Sequence, residues 1–169
     1  MEELDTRKRI YEEIVMNPGL HFRELMKRLN IPVGMLEYHL HILERDGLII
    51  SKQEGKYRRY FANTHMSMEE RRVVSHLRGE IQRKIVIYLL ENGKSRHGDI
   101  SQGTGIIPSL LSYHLKKLVD GGILIKENAG RESFYYVKNE ELVTAILIKY
   151  RKSFIDSLVD NFVSWYLSN

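Results

Sequence analysis

Apolar residues recur every three or four positions along most of the chain, and this spacing predicts amphipathic helices. Twice, such a stretch ends at a glycine followed by a short apolar run, which predicts a helix cap and then a strand. In residues 1–66 the pattern predicts helix, helix, turn, helix and β-hairpin. The same order of elements returns between residues 79 and 138. The predicted fold is therefore mainly α-helical, with two small β-hairpins.

The two stretches are copies of one module. A shift of 75 positions aligns residues 31–50 with residues 106–125 without a gap, and eight of the twenty aligned pairs are identical. The identical pairs include Leu36/Leu111, Tyr38/Tyr113, His39/His114, Leu40/Leu115, Leu43/Leu118 and the helix-ending Gly47/Gly122. Chance similarity between two amphipathic helices would not also match the Tyr-His-Leu triplet and the glycine. The module is therefore duplicated.

Polar residues at the predicted helix ends suggest where the helices begin. Asp5 is expected to cap a first helix over residues 5–16, and Ser109 to cap the third helix of the second copy. Ser67 and Glu70 fit a capping box that opens a linker helix between the copies. That helix either continues into the second copy or breaks at Gly79.

The C-terminal segment lies outside both copies. The pattern predicts one long helix over about residues 140–167, roughly 40 Å long at 1.5 Å per residue. Its main apolar stripe consists of Ile148, Ile155, Leu158, Phe162 and Trp165. Further apolar residues extend the apolar surface nearly around the helix, so the helix needs partners on more than one side. We expect it to pack on its own domain and against a second subunit, giving a homodimer.

Three segments follow from these patterns: a first domain over residues 1–66, a linker helix and second domain over 67–138, and a dimerisation helix over 139–169. The net charge of +4 is unevenly distributed: residues 79–138 carry +3 and residues 139–169 carry −1. A basic second copy is compatible with nucleic-acid binding. Cysteine is absent, and no apolar run suggests a signal or a membrane span. We therefore expect a cytoplasmic protein without a membrane partner.

Helix, helix, turn, helix and a two-stranded wing resemble a winged helix-turn-helix domain. The string from Ser109 to Leu118, followed by Gly122-Ile123-Leu124, resembles the recognition helix and wing of ArsR/MarR-like regulators. The first copy matches more loosely through Tyr38-His39-Leu40. Two such domains and a terminal helix in one short chain are similar to tandem winged-helix regulators common in archaea. The resemblance implies transcription regulation by binding double-stranded DNA, with the basal transcription machinery as a second partner.

In such a fold the third helix enters the major groove with its outward side chains. The outward residues of the second copy are Ser109, Leu110, Ser112, Tyr113, Lys116 and Lys117. Serine hydroxyls and lysines can contact phosphates or base edges, and tyrosine can pack on a thymine methyl group. Arg131 lies at the tip of the second wing. The competing interpretation of these residues is an ordinary solvated helix face.

The first copy offers a weaker helix and a stronger wing. Its outward helix residues include Tyr38, His41 and Arg45. Glu37 among them would repel phosphate unless it accepts a hydrogen bond from a cytosine amino group. Its wing residues expected to contact DNA are Lys56, Arg58 and Arg59. Because successive strand residues face opposite sides, not all of them can reach DNA. The equivalent His39 and His114 suggest a shared structural bond, or a contact with backbone phosphate.

Other functional classes fit the sequence less well. The seven histidines and the acidic residues form no catalytic motif, and no glycine-rich phosphate loop follows a strand. We therefore expect neither enzymatic activity nor a cofactor. We expect no metal site either, since the soft-metal sensors of this family use cysteines, which are absent here. The main alternative is a tandem winged-helix adaptor that binds proteins and does not read DNA. Single-stranded nucleic-acid binding through stacked tyrosines fits least well, since most of the tyrosines occupy core-like positions.

Overall fold

The computed structural model describes residues 2–169, and the chain divides into two units, residues 1–71 and 72–169. The first unit contains the first copy of the module, and the second contains the second copy with the C-terminal helices. In each copy, helices pack beside a three-stranded antiparallel sheet. Within residues 2–169, no helix is long and apolar enough to cross a lipid bilayer.

The first unit has its core between three helices and the sheet. The elements are α1 (Glu2–Met16), β1 (Leu20–His21), α2 (Phe22–Leu29), α3 (Val33–Arg45), β2 (Ile49–Glu54) and β3 (Tyr57–Ala62). The predicted stripe of α3 is buried: Leu36, Leu40 and Leu43 are at most 3% exposed. They pack with Ile10 and Ile14 of α1.

The second unit repeats this order and adds helices at its end. The helix α4 (Met68–Leu77) contains the division between the units. The further elements are α5 (Glu80–Asn92), β4 (Ser95–Arg96), α6 (His97–Thr104), α7 (Pro108–Asp120), β5 (Leu124–Ala129), β6 (Glu132–Val137), α8 (Glu140–Lys149), α9 (Arg151–Phe154) and α10 (Ser157–Ser168). The linker helix thus breaks at Gly79.

A third strand, which the sequence pattern did not predict, pairs with each hairpin to complete a three-stranded sheet. The strand orders are β1-β3-β2 and β4-β6-β5. Leu20 pairs with Tyr60 in the first sheet, and Ser95 pairs with Tyr135 in the second. Both positions are related by the same shift of 75, so the pairing register is duplicated with the sequence. Two-residue strands are too short for the alternation by which strands are recognised.

Two predicted helix caps are wrong. The first helix begins at Glu2, so Asp5 lies within its first turn, where a carboxylate still stabilises the positive helix end. The helix α7 begins at Pro108 with Ile107 at the cap position, because proline suits the first turn of a helix. Ser67 behaves as predicted: its hydroxyl accepts a 3.1 Å hydrogen bond from the amide of Glu70.

The prediction of one long C-terminal helix is wrong as well. The chain leaves helical geometry after α9, where Ile155 adopts φ 51° and is 77% exposed. Asp156 then caps α10, its carboxylate accepting a 3.0 Å hydrogen bond from the amide of Leu158. The predicted stripe from Ile148 to Trp165 is therefore divided between separate helices. The longest C-terminal helix, α10, is only about 18 Å long at 1.5 Å per residue.

A buried arginine joins these C-terminal helices to the corner between α4 and α5. Arg83 is 7% exposed, and its guanidinium lies 3.0 Å from the carboxylate of Asp156. It also donates 2.9 Å hydrogen bonds to the carbonyls of Leu77 and Arg78. The ring of Phe154 lies beside the guanidinium, with its centroid 5.5 Å away. A single side chain thus provides hydrogen bonds to the carbonyl groups at the end of α4 and holds the start of α10 through Asp156.

Removing one partner of this pair is expected to be costly. Arg83→Ala and Asp156→Ala should each lower the free energy of unfolding by about 3–5 kcal/mol, because a buried charge is left unpaired. Urea unfolding followed by circular dichroism measures the change. As a control, Arg151→Ala breaks the exposed pair of Arg151 and Asp160, 3.8 Å apart, and should cost less than about 1 kcal/mol. Equal losses in all three variants would contradict this account.

The second helix of the second copy contains a glycine that is needed for packing. Gly103 lies within α6, and the left-handed residue that ends the helix is Gly105. A Cβ atom at residue 103 would lie 2.2 Å from the ring of Tyr88 on α5. Gly103 therefore permits α6 to approach α5 closely.

Two glycines of α6 should respond oppositely to alanine. Gly98→Ala should stabilise the protein by up to about 1 kcal/mol, because nothing lies within 4 Å of the added methyl group. Gly103→Ala should destabilise it, because Tyr88 must move, and crowded cores typically lose about 1–3 kcal/mol. Thermal unfolding of both variants checks the opposite signs. A stabilising Gly103→Ala would show that Tyr88 yields without cost.

Candidate nucleic-acid interface

The helix α7 separates an apolar inner face from a polar outer face. Leu111, Leu115 and Leu118 are at most 1% exposed. All six residues predicted to face outward are exposed: Ser109, Leu110, Ser112, Tyr113, Lys116 and Lys117. The structure therefore brings the predicted set together on one helix face, with two lysines and a tyrosine in adjacent turns.

The two lysines of α7 have different surroundings. The ammonium of Lys116 lies 2.9 Å from the carboxylate of Asp120, and both side chains are more than 60% exposed. An exposed pair of this kind contributes about 0–1 kcal/mol, so phosphate can replace the carboxylate at little cost. The ammonium of Lys117 lies 4.9 Å from the ring centroid of Tyr113. The face therefore presents cations that remain accessible to an anion.

A polar contact that the sequence did not reveal connects α6 with α7. The Nε2 atom of His97 lies 2.9 Å from the hydroxyl of Ser112. That hydroxyl also donates a 3.0 Å hydrogen bond to the carbonyl of Pro108. With its one proton used there, Ser112 accepts from His97. The two helices of the helix-turn-helix are thereby linked on the exposed side, and the Ser112 hydroxyl is largely occupied.

The equivalent histidines do not share one structural bond. His39 accepts a 3.3 Å hydrogen bond at Nδ1 from Arg7. In the second copy the place of Arg7 is taken by Gln82, whose amide oxygen lies 2.9 Å from Nδ1 of His76. The buried Nδ1 of His114 consequently has no hydrogen-bond partner among residues 2–169.

Both histidines are unsuited to hold phosphate by charge. Burial lowers the pKa of His39, and the positive charge of Arg7 lowers it further. Burial and Lys117 lower the pKa of His114 in the same way. Each ring instead packs edge-on against the preceding tyrosine, with centroids 5.2 and 5.1 Å apart. The shared feature is thus a ring contact, present in both copies.

The outer face of α3 differs from that of α7. Tyr38, His41 and Arg45 are exposed as predicted, but the guanidinium of Arg45 pairs with Asp46 at 3.0 Å. Exposed apolar and acidic residues accompany them: Val33, Met35 and Glu37. Ile42, which occupies the place of Lys117, is 8% exposed. This helix therefore presents little positive charge to a phosphate backbone.

Of the three cations predicted to contact DNA from the first wing, two are exposed and one is enclosed. Lys56 and Arg58 are exposed, and Arg58 donates a 2.6 Å hydrogen bond to the hydroxyl of Ser51. The side chain of Arg59 is only 12% exposed, and it donates a 2.8 Å hydrogen bond to the carbonyl of Gly19. The strand alternation turns Arg59 inward. The expectation that Arg59 contacts DNA is therefore replaced by a structural role.

The second wing carries Arg131, exposed beside Gly130 at the hairpin turn. Two basic residues nearby are paired with glutamates, whereas Lys126 on β5 is exposed and lies 6.0 Å from the ring centroid of Tyr135. Lys94 lies 2.9 Å from Glu127, and Arg96 lies 2.9 Å from Glu132. Across residues 2–169, no three histidine or acidic side chains are grouped closely enough to hold a metal ion. Exposed positive charge in the second copy thus lies on α7 and on the second wing, at Lys126 and Arg131.

Family models match both copies of the module. Residues 4–74 match an N-terminal HTH domain, and residues 80–126 match the bacterial regulatory proteins of the arsR family. An uncharacterized HTH-type transcriptional regulator of Methanocaldococcus jannaschii is 37% identical over 139 residues, which make up 82% of this chain and 34% of that protein. The chain therefore spans about a third of the length of this relative.

Solved structures show more distant likeness. A predicted DNA-binding transcriptional regulator from E. coli is 21% identical with a TM-score of 0.42, over 45% of this chain and 80% of that one. The ESCRT-II endosomal trafficking complex is 16% identical with a TM-score of 0.32, over 83% and 63%. The two family matches coincide with the duplicated helices and wings. The chain therefore contains two tandem winged helix-turn-helix domains, the second of which matches the arsR family over residues 80–126.

Proposed function

We propose that the chain is a transcription regulator that binds double-stranded DNA and reads its sequence mainly with α7. The observation that carries this proposal is the outer face of α7, where Lys116, Lys117 and Tyr113 are exposed on the third helix of an ArsR-type domain. The regulator matched over 82% of the chain supports the same function.

The proposed mechanism divides anchoring from readout. The helix α7 enters the major groove, where lysine can bind guanine O6 and N7 and tyrosine can pack on a thymine methyl group. Arg131, Lys56 and Arg58 hold backbone phosphates from the wings and fix the register. Regulation then follows from occupying a promoter, either by excluding transcription factors or by recruiting the basal machinery.

The first domain contributes to this scheme by its wing more than by its helix. The exposed face of α3 combines Glu37 with Val33 and Met35, which suits a protein surface better than a phosphate backbone. A helix face of this kind is the specific observation that favours the adaptor as a second candidate function. In that case α3 docks on a protein partner, with or without DNA bound to α7.

A second copy of the chain is the proposed partner of the C-terminal helix. Phe162 is buried within its own unit, so it is withdrawn from the predicted dimer stripe, and Leu158 and Ile148 are half-buried. Trp165, Tyr166 and Leu167 are 45–65% exposed at the end of α10. Apolar side chains clustered in this way mark an association surface.

Selection of random duplex DNA across a salt series tests the function. The expected result is an enriched motif, together with an affinity that falls steeply as salt rises because lysines displace counterions. The symmetry and spacing of the motif then report how many winged helices bind at once. Weak binding without a motif would reject the regulator and favour the adaptor.

Single lysine substitutions distinguish base readout from phosphate anchoring. Lys116→Ala should relax the preference at one or two base pairs if Lys116 reads a base, with a loss of about 1–3 kcal/mol on the preferred sequence. If Lys117 holds phosphate, Lys117→Ala should lower the affinity for all DNA sequences equally. It should also reduce the slope of log affinity against log salt concentration by about one. Lys84→Ala, on the exposed side of α5, serves as the control. Unchanged binding in both α7 variants would remove α7 from the interface.

Substitution at the end of α10 tests the dimer. Trp165→Ser combined with Leu167→Ser should shift a dimer toward monomer without loss of the fold, because both side chains are exposed in one chain. Sedimentation equilibrium measures the mass, and thermal unfolding confirms that the monomer folds. Met68→Ser, another exposed apolar residue, is the matched control. A wild-type chain that sediments as a monomer at micromolar concentration would refute the proposed partner.

A further inference from the structure

A cleft of about 420 Å³ opens between the first wing and the start of α2. One wall comes from the junction of β1 and α2, with His21 and Arg23. The other comes from the turn between β2 and β3, with Lys56, Tyr57 and Arg58. The volume lies within the range of about 300–1,000 Å³ in which small-molecule sites occur.

The walls of this cleft carry three cations and no carboxylate. Neither Arg23 nor Lys56 forms an ion pair within the part of the chain that the structure describes, and the described partner of Arg58 is the neutral Ser51 hydroxyl. Two acids lie nearby, and both are directed at other side chains. Glu24 lies 3.2 Å from Nε2 of His21, and Glu54, opposite Tyr57 in the hairpin, lies 3.5 Å from Arg59. Three like charges around one opening repel one another, and an anion between them relieves that repulsion.

A fixed aromatic surface lies beside the cations. The rings of His21 and Tyr57 are stacked, with centroids 4.6 Å apart and planes 11° from parallel. Nδ1 of His21 accepts a hydrogen bond from the amide of Glu24 at 3.4 Å, which fixes the stack against α2. Tyr57 remains 39% exposed, and the ammonium of Lys56 lies 5.3 Å from its ring centroid. A flat ring and a cation are thus presented together.

The second copy shows that the fold does not require this arrangement. At the equivalent positions, shifted by 75, Arg23 becomes Gly98, Tyr57 becomes Glu132 and Arg58 becomes Ser133. The stacked pair is replaced by an ion pair, since Arg96 stands in the place of His21 and lies 2.9 Å from Glu132. The second copy thus cancels its charge at this place, whereas the first copy accumulates it. The cleft is a property of the first copy rather than of the module.

We infer that this cleft binds a small ligand of the nucleotide class, with its phosphate between Arg23, Lys56 and Arg58 and its base on the exposed surface of Tyr57. Arginine guanidinium groups and lysine ammonium groups form charge-assisted hydrogen bonds with phosphate oxygens, and aromatic side chains stack on any base. The site belongs to the first unit and involves no residue of α7. It gives the chain a ligand besides DNA: Lys56 and Arg58 then hold this ligand in place of the backbone phosphates proposed above, while α7 and Arg131 remain available to DNA.

Calorimetric titration of the full chain with adenosine monophosphate, inorganic phosphate and adenosine tests the assignment. The nucleotide should bind, and adenosine, which lacks the phosphate, should bind at least about tenfold more weakly. Arg23→Gln and Lys56→Gln should each lower the affinity for the nucleotide about tenfold. Tyr57→Ala should lower the affinity for the nucleotide but leave the affinity for inorganic phosphate unchanged. All three residues are exposed, and circular dichroism checks that the variants fold.

The duplication supplies the matched control, because Arg131 occupies in the second wing the place of Lys56 in the first. Arg131→Gln should leave nucleotide binding unchanged within twofold. Absence of nucleotide binding, or an equal loss in Arg131→Gln, would overturn the site. These titrations contain no DNA, so their failure leaves the proposed DNA binding untouched.

Competition with duplex DNA separates the two sources of phosphate. Simultaneous binding of nucleotide and duplex would support the small ligand. Displacement of the nucleotide by duplex, with Lys56→Gln weakening both, would assign the cleft to a backbone phosphate and overturn the small-ligand assignment.

Discussion

The buried guanidinium of Arg83 is the interaction on which the second unit depends. A charge removed from water has to be matched at close range, and here a carboxylate, two carbonyls and a ring match it. The carbonyls lie at the end of α4 and the carboxylate lies at the start of α10. The ends of three helices are thereby fixed at one point. The C-terminal helices are thus an integral part of the second unit and are not a separate appendage.

The two copies of the module keep one interior and present different surfaces. The inner leucines of α3 and α7 are the same residues at the same spacing, and the ring contact between tyrosine and histidine recurs in both. The outer faces have diverged. Positive charge lies on the helix in the second copy and beside the wing in the first. One scaffold therefore carries two different electrostatic surfaces, and this division is the basis for proposing different ligands for them.

Much of the fold and part of the site could be predicted from the sequence. Helical spacing and the helix-ending glycines were sufficient for the element order, the α3 and α7 cores and the outward set of α7, because burial of apolar residues dominates these choices. The strands β1 and β4 were missed because two residues hold no periodicity. The break at Ile155 was missed because nothing local forbids a helix there. It depends on Asp156, which caps α10 and also pairs with a residue 73 positions away.

Polar contacts at the site were harder to foresee than the core. Strand alternation correctly implied that the arginines of the first wing could not all face outward, but it could not say that Gly19 would receive Arg59. The contact of His97 with Ser112 crosses two helices and leaves no trace in the spacing of either. Such bonds depend on where side chains end in space, which is decided only after the helices have packed.

The buried Ile42, in the place of exposed Lys117, limits how the duplicated module can change. A lysine introduced there would lose its hydration without gaining a partner, at a cost of several kcal/mol. The first copy therefore cannot acquire a basic recognition helix by surface substitutions alone, because that position belongs to its interior. An engineered exchange of specificity between the copies would have to repack the buried side of α3 as well as change the charges of its exposed side chains.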